Sequence, residues 1–179
     1  MENIKTERLI LRNINQYDYE EMKVILQDKK LMSVGWGKTY SDEEVQAWID
    51  KIIEQYEVFG YSYYLAIEKS TNEVIGIMGI LPVTIKQADY IEVAYILKET
   101  FWGNGYATEG IKECVDYIFN TLGADRYIAQ VIPENTSSSK VAKRLGMKVI
   151  DDYMREHNGK EVFHLIYALT KEDYIKQSN

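Results

Sequence analysis

The hydrophobic period of this chain changes along its length, and the order of the changes restricts the fold. Apolar residues first recur at helical spacing: Tyr19, Met22, Ile25 and Leu26, then Val45, Trp48, Ile49, Ile52 and Ile53. From Tyr61 the pattern turns to β-type runs, at Tyr61 to Glu68, Glu73 to Val83 and Tyr90 to Leu97. Helix and strand then alternate: a helix to Asn120, strand Arg126 to Ile132, helix Ser137 to Leu145 and strand Met147 to Arg155. Asn158-Gly159 favours a tight turn that returns Glu161 to Leu169 antiparallel. A first strand, Thr6 to Arg12, puts Leu9 and Leu11 on one face and Arg8, Ile10 and Arg12 on the other. Helices are expected over Gln16 to Leu31 and, behind the capping box of Ser41 and Glu44, as far as Val58. The sum is an α/β chain with a mixed, twisted sheet of about seven strands flanked by about four helices. No repeat or linker divides it, so residues 1–179 read as one domain.

Composition narrows the function. Lys and Arg number 21 against 28 Asp and Glu, a net charge of −7, which argues against nucleic acid as a partner. One cysteine, Cys114, and two histidines, His157 and His164, rule out a multi-cysteine zinc site and a histidine cluster. Cys114 falls on the apolar helix face of Ile111, Val115, Ile118 and Phe119, a core position. Neither histidine has a sequence neighbour suited to a triad. The first residues lack a basic region followed by an apolar core, and the ten-residue apolar stretch Val74 to Val83 is too short for a bilayer. The expectation is a cytoplasmic protein without a membrane partner, monomeric or homodimeric.

Three places could carry chemistry. Gly103-Asn104-Gly105-Tyr106-Ala107-Thr108 runs straight into a helix, so its free amides suit an anion; equally, glycine serves an ordinary strand-to-helix turn. A Walker loop would need a lysine near Ala107, and Asp125, at dinucleotide spacing, begins its strand instead of ending it. Asn135-Thr136-Ser137-Ser138-Ser139 opens a second helix, either as a plain cap or as a second helix start beside the first. Lys140, Lys143 and Arg144 follow on it, a solvated face or a phosphate-binding one. Glu92 is the lone carboxylate of Tyr90-Ile91-Glu92-Val93-Ala94-Tyr95-Ile96-Leu97. It is a general base at a cleft, a solvent-facing residue, or a partner for Arg8 or Arg12.

Glu92 to Leu97, followed by Phe101-Trp102-Gly103-Asn104-Gly105-Tyr106-Ala107-Thr108-Glu109, resembles the acetyl-coenzyme-A-binding segment of the GNAT N-acetyltransferases. Asn135-x-x-Ser138-x-x-Val141-x-x-Arg144-Leu145-Gly146-Met147 resembles the segment that follows it. Thr6-Glu7-Arg8-Leu9-x-Leu11-Arg12 is similar to the start of the ribosomal-protein N-terminal (alanine) acetyltransferase-like branch. Trp102 stands where the wider superfamily often has Gln or Arg, which suits that branch.

The resemblance implies acetyl-coenzyme A as co-substrate, no metal, and a primary amine acceptor, a protein N-terminus or a small molecule. Backbone of Tyr95, Ile96 and Leu97 would pair with the pantetheine arm, and the amides of Gly103 to Thr108 would hold the pyrophosphate. Trp102 belongs to the same segment. Asn135 would bond the pantetheine end and Ser138 would sit near the sulfur. In the family route the amine attacks directly in a ternary complex, with Glu92 taking its proton, strand amides steadying the oxyanion and Ser138 helping to protonate the thiolate. Trp36, Tyr40 and Tyr64 are the expected acceptor contacts, and the acidic net charge favours a cationic amine through steering. The alternatives are a non-catalytic module of the same fold that senses coenzyme A thioesters, and a nucleotide-binding protein.

Overall fold

The computed structural model of the chain describes residues 3–33, 35, 37–157 and 159–178. A single sheet runs β1 (Ile4–Lys5), β2 (Leu9–Asn13), β3 (Tyr63–Glu68), β4 (Glu73–Ile85), β5 (Ala88–Leu97), β6 (Arg126–Val131), β8 (Lys160–Thr170), β7 (Lys148–His157). Every neighbouring pair is antiparallel except β5 and β6, which run parallel and meet at one register point, Glu92 opposite Ile128. Beyond that point the two strands part, and residues 93–97 of β5 keep a ladder partner only on the β4 side. Two parallel strands that splay leave a gap in the sheet.

Both faces are covered, as the change of period requires. Helices α1 (Tyr19–Leu26), α2 (Lys29–Ser33) and α3 (Asp42–Phe59) bury Met22, Ile25, Met32, Val45 and Ile49 against Tyr63, Leu65, Ile77 and Ile96. On the other face α4 (Tyr106–Asn120) buries Ile111, Cys114, Ile118 and Phe119 against Leu9, Met78, Ile80 and Tyr127. Helix α5 (Thr136–Arg144) joins this second cluster through Ala142, and α6 (Lys171–Ser178) through Tyr174. Each fully buried Leu or Ile contributes about 1.5–3 kcal/mol, so each layer is held mainly by its apolar stripe.

Against expectation, the first helical stretch is broken. Asp28 Oδ1 accepts the amides of Lys30 and Leu31 at 2.9 Å each, which starts a new helix at Lys29. Asp18, buried against the Arg12 guanidinium at 2.6 Å, closes a capping box with Asn15 and opens a 3-10 turn at Gln16–Asp18. The short strand β1 and the terminal α6 are additions to the expected order, and among the described residues eight strands replace about seven. Strands β7 and β8 pair antiparallel as far as His157 opposite Lys160; of the expected turn, Asn158 lies outside the described residues.

Candidate active site

Where β5 ends, a 3-10 turn (Glu99–Phe101) leads to Trp102, whose indole Nε1–H donates to Leu97 O at 2.7 Å. Gly103 and Gly105 take φ of +77° and +82°, the left-handed region that glycine occupies without strain. Gly105 is the N-cap of α4 and supplies no side-chain cap, so the first amides of that helix have no intrahelical partner. Residues Gly103 to Gly105 are exposed, and the buried Thr108 Oγ1 has no hydrogen-bond partner among the described residues. An anion at this turn would meet both the free amides and the positive end of the helix dipole.

The amino-terminal motif braces this turn. Glu109, in the first turn of α4, accepts from Thr6 Oγ1 at 2.5 Å and from the Arg8 amide at 2.7 Å. It also pairs with the Arg8 guanidinium at 2.6 Å, and that guanidinium lies 4.3 Å from the centre of the Tyr106 ring. Arg8 and Arg12 are thus engaged by Glu109 and Asp18, not by Glu92.

The second helix start lies beside the first. Asn135 Oδ1 accepts the Ser138 amide at 3.1 Å and so caps α5. The Ser138 hydroxyl lies 3.2 Å from the Tyr95 hydroxyl, which links α5 to β5 across the parting strands. Lys140, Lys143 and Arg144 are exposed, and among the described residues no ion pair engages them. Lys140 and Arg144 line the cleft between the two helix starts.

Glu92 faces the opposite side of the sheet. It is 7% exposed, and its Oε1 accepts the Gln130 amide at 3.2 Å. Burial pushes the carboxyl up to about 7, with the Arg155 charge and the Gln130 hydrogen bond pulling the other way. The cause is location: Glu92 sits at the last pairing point of β5 and β6, beside the gap. Register then says what shares its face. Gln130 pairs with Ile166, His164 pairs with Tyr153, and Arg155 lies two residues beyond Tyr153 on β7. The Tyr153 hydroxyl donates to Gln130 Oε1. His164, 3% exposed, has Nδ1 at 2.9 Å from Val162 O, and burial followed by the Arg155 charge lowers its proton affinity.

A cleft of about 850 Å³ joins the two faces through the gap. It brings together Glu92, Tyr95, Ile96, Leu97, Trp102, Gly103, Gly105, Tyr106, Ala107, Thr108, Asn135 and Ser138. Asn104, exposed in the same turn, instead donates from Nδ2 to Trp102 O at 3.2 Å. Tyr40 lines the far end, edge-on to Trp48 at 5.4 Å, and Trp48 stacks on Tyr63 at 5.7 Å. Tyr64 does not belong there. Strand alternation turns it into the α4-side core, 1% exposed, and puts Tyr63 on the cleft wall. Trp36 lies outside the described residues. Gln130, Tyr153, Arg155 and His164 were not among the expected site residues; only a β-register could have placed them, because no local motif contains them. Cys114 is fully buried, its thiol pushed up to about 12 by burial, which leaves no thiolate nucleophile in the cleft.

The family model described as "Acetyltransferase (GNAT) domain" matches residues 8–148. The chain is 28% identical to the uncharacterized N-acetyltransferase p20 of Bacillus licheniformis over 178 residues, covering 97% of this chain and 99% of that protein. Among solved structures, an acetyltransferase (GNAT family) from Bacillus anthracis superposes with a TM-score of 0.80 at 22% identity, over 96% of this chain and 99% of that one. A ribosomal L7/L12 alpha-N-protein acetyltransferase solved in complex with coenzyme A superposes with a TM-score of 0.76 at 20% identity, over 94% and 98% of the two chains.

Proposed function

The chain belongs to the GNAT acetyltransferase family and is an acetyltransferase, and on that premise we propose that it moves an acetyl group from acetyl-coenzyme A to a primary amine by direct attack in a ternary complex. One observation carries the proposal: the uncapped start of α4, with the start of α5 beside it, on one face of the sheet and a buried carboxylate on the other share one cleft, through a gap between parting strands.

The donor supplies an acyl group already activated as a thioester, and the residues present fit it. The left-handed Gly103 and Gly105 have no Cβ, and among the described residues only Arg8 comes within 4 Å of where one would stand, 3.5 Å from Gly105. Backbone amides of residues 103–108 would take the pyrophosphate charge, and the unpaired Thr108 hydroxyl gains a partner. The free edge of residues 95–97 offers the pantetheine arm backbone groups that β6 does not use. Asn135 spends its carbonyl on the α5 cap and keeps its amide N–H groups for that arm.

On the acceptor side Glu92 takes a proton from the incoming ammonium, whose ordinary pKa of about 8–10 leaves little free amine at pH 7. A carboxyl pushed up to about 7 is matched to that task. Amides of β5 would steady the developing oxyanion, and as the C–N bond forms and the C–S bond breaks the Ser138 hydroxyl, in contact with Tyr95, would relay the proton shed by the attacking nitrogen to the departing sulfur. A mass-spectrometric screen of amines with acetyl-coenzyme A tests this. One acetamide product with stoichiometric thiol release is expected. Tight donor binding with no product from any amine would replace the enzyme with a thioester sensor.

A further inference from the structure

We propose that the acceptor end of the cleft selects a small amine that also carries an anionic group, a carboxylate or a phosphate, with Arg155 holding the anion while the amine faces Glu92. This deepens the acetyl-transfer reading and rests on it.

The charge inventory of the cleft runs against that of the whole chain. In a protein of net charge −7, the cleft wall carries Lys51, Lys140, Arg144 and Arg155 against only Glu92 and Glu156, among the described residues. Lys140 and Arg144 sit on α5 at the donor end, which leaves Arg155 on β7, with Lys51 on α3, at the acceptor end. Arg155 shares the sheet face of Glu92 by register, is exposed, and among the described residues no ion pair engages it. Its charge acts on the groups around the cavity. Burial raises the proton affinity of Tyr40, Tyr63, Glu92 and Tyr153, and in all four the Arg155 charge pulls it back down.

A guanidinium is a planar fork matched to two oxygens of a carboxylate or phosphate. Placed on the same cleft wall as a carboxylate that must accept a proton from an ammonium, it completes a pair of opposite charges complementary to an amphoteric amine. A diamine would instead bring a second positive charge toward Arg155, which costs affinity in a partly desolvated site. Long-range steering by the acidic surface and local selection by Arg155 therefore point to different acceptors, and the two can be separated by experiment.

Matched acceptors differing only in the anion decide it: lysine against 1,5-diaminopentane, β-alanine against ethylamine, and phosphoethanolamine against ethanolamine, with acetyl-coenzyme A and the full chain. The anion-bearing member of at least one pair should show kcat/KM higher by on the order of tenfold to a hundredfold. The carboxylate and phosphate arms then tell which anion is preferred. Arg155→Gln should collapse that ratio mainly through KM, with donor affinity and melting temperature unchanged, and Arg155→Lys should retain part of it. Equal or better turnover of the diamine and the simple amines, a preference for peptide N-termini over every small acceptor, or an unaltered ratio in Arg155→Gln would overturn the assignment. Donor binding without an amide product from any amine is a different failure, one that removes acetyl transfer itself.

Discussion

The two ends of the cleft are built from different materials. The end proposed for the donor is mostly backbone: the amides of residues 103–108, the edge of residues 95–97 and the start of α5, all within two short stretches of chain. The end proposed for the acceptor is side chains drawn from α3, β3, β5, β7 and β8, namely Trp48, Tyr63, Glu92, Arg155 and His164, brought together by sheet register and by the packing of α3 on the sheet. Backbone sites demand particular residues mainly where φ or close approach restricts the choice, while side-chain sites can change with each substitution on a strand face. The donor end should therefore respond to geometry and the acceptor end to chemistry.

The largest effect expected is from Glu92→Gln, which keeps the shape and removes the proposed base. Turnover should fall by about 10²–10⁴-fold with donor affinity intact, as measured by steady-state kinetics and calorimetry. In the unaltered protein the rate should climb as pH rises through about 7, because the carboxylate form accepts the proton, and the variant should lose that limb. Stability moves the other way. The folded carboxyl titrates above its ordinary value, so between about pH 4.3 and 7 the unfolded state has lost its proton while the folded state keeps it. Stability falls with pH across that window, and Glu92→Gln should be the more stable form at pH 8 by on the order of 2–3 kcal/mol. Unchanged turnover at neutral pH would remove Glu92 from the chemistry.

Next in size, Gly105→Val strikes the donor end alone. A β-branched residue at φ of +82° is strained by roughly 1–3 kcal/mol, and its side chain would occupy the approach to the free amides of α4. Acetyl-coenzyme A affinity should drop by about a hundredfold at most, read by calorimetry. Wild-type affinity would dissociate that turn from the donor. A smaller loss is expected for Glu109→Gln, which weakens the brace from Thr6 and Arg8 by about 1–2 kcal/mol. Donor affinity should suffer several-fold while the acceptor KM holds; a shifted acceptor KM would show that the two ends are mechanically coupled.

The same contrast explains what the sequence disclosed. Gly103 to Thr108 and Asn135 to Ser138 are each a contiguous string, so both helix starts were legible as candidates in the sequence, with an ordinary turn and a plain cap as the alternatives. Leu9 and Leu11 and the α4 core face were legible from period alone, since burial follows directly from spacing, and the Ser41 box from its cap residues three apart. Arg155 was not, because its relation to Glu92 passes through two intervening strands whose pairing no local pattern records. Tyr63 and Tyr64 show the limit most sharply. Both fit a strand, alternation requires that they face opposite ways, and only the β3–β4 register, Tyr63 opposite Gly79, says which one meets the cleft. The break at Asp28 was hidden for another reason: a side chain outcompeted the helix ladder locally, while the apolar spacing continued across it.

The least effect is expected where α3 begins, and it bears on how firmly the acceptor wall is held. Ser41 Oγ accepts the Glu44 amide at 3.3 Å, and the Glu44 carboxylate accepts the Ser41 amide at 2.9 Å, between Tyr40 of the cleft wall and the Trp48 and Lys51 that line it one to two turns later. Ser41→Ala should cost about 1 kcal/mol and lower the melting temperature by roughly 2–4 °C. If the wall is fixed by the buried stripe of Val45, Ile49 and Ile52, acceptor KM stays put while stability falls. A KM that rises along with the lost degrees would mean instead that the helix start, rather than its apolar face, sets the position of Trp48, and that the acceptor end depends on backbone geometry as the donor end does.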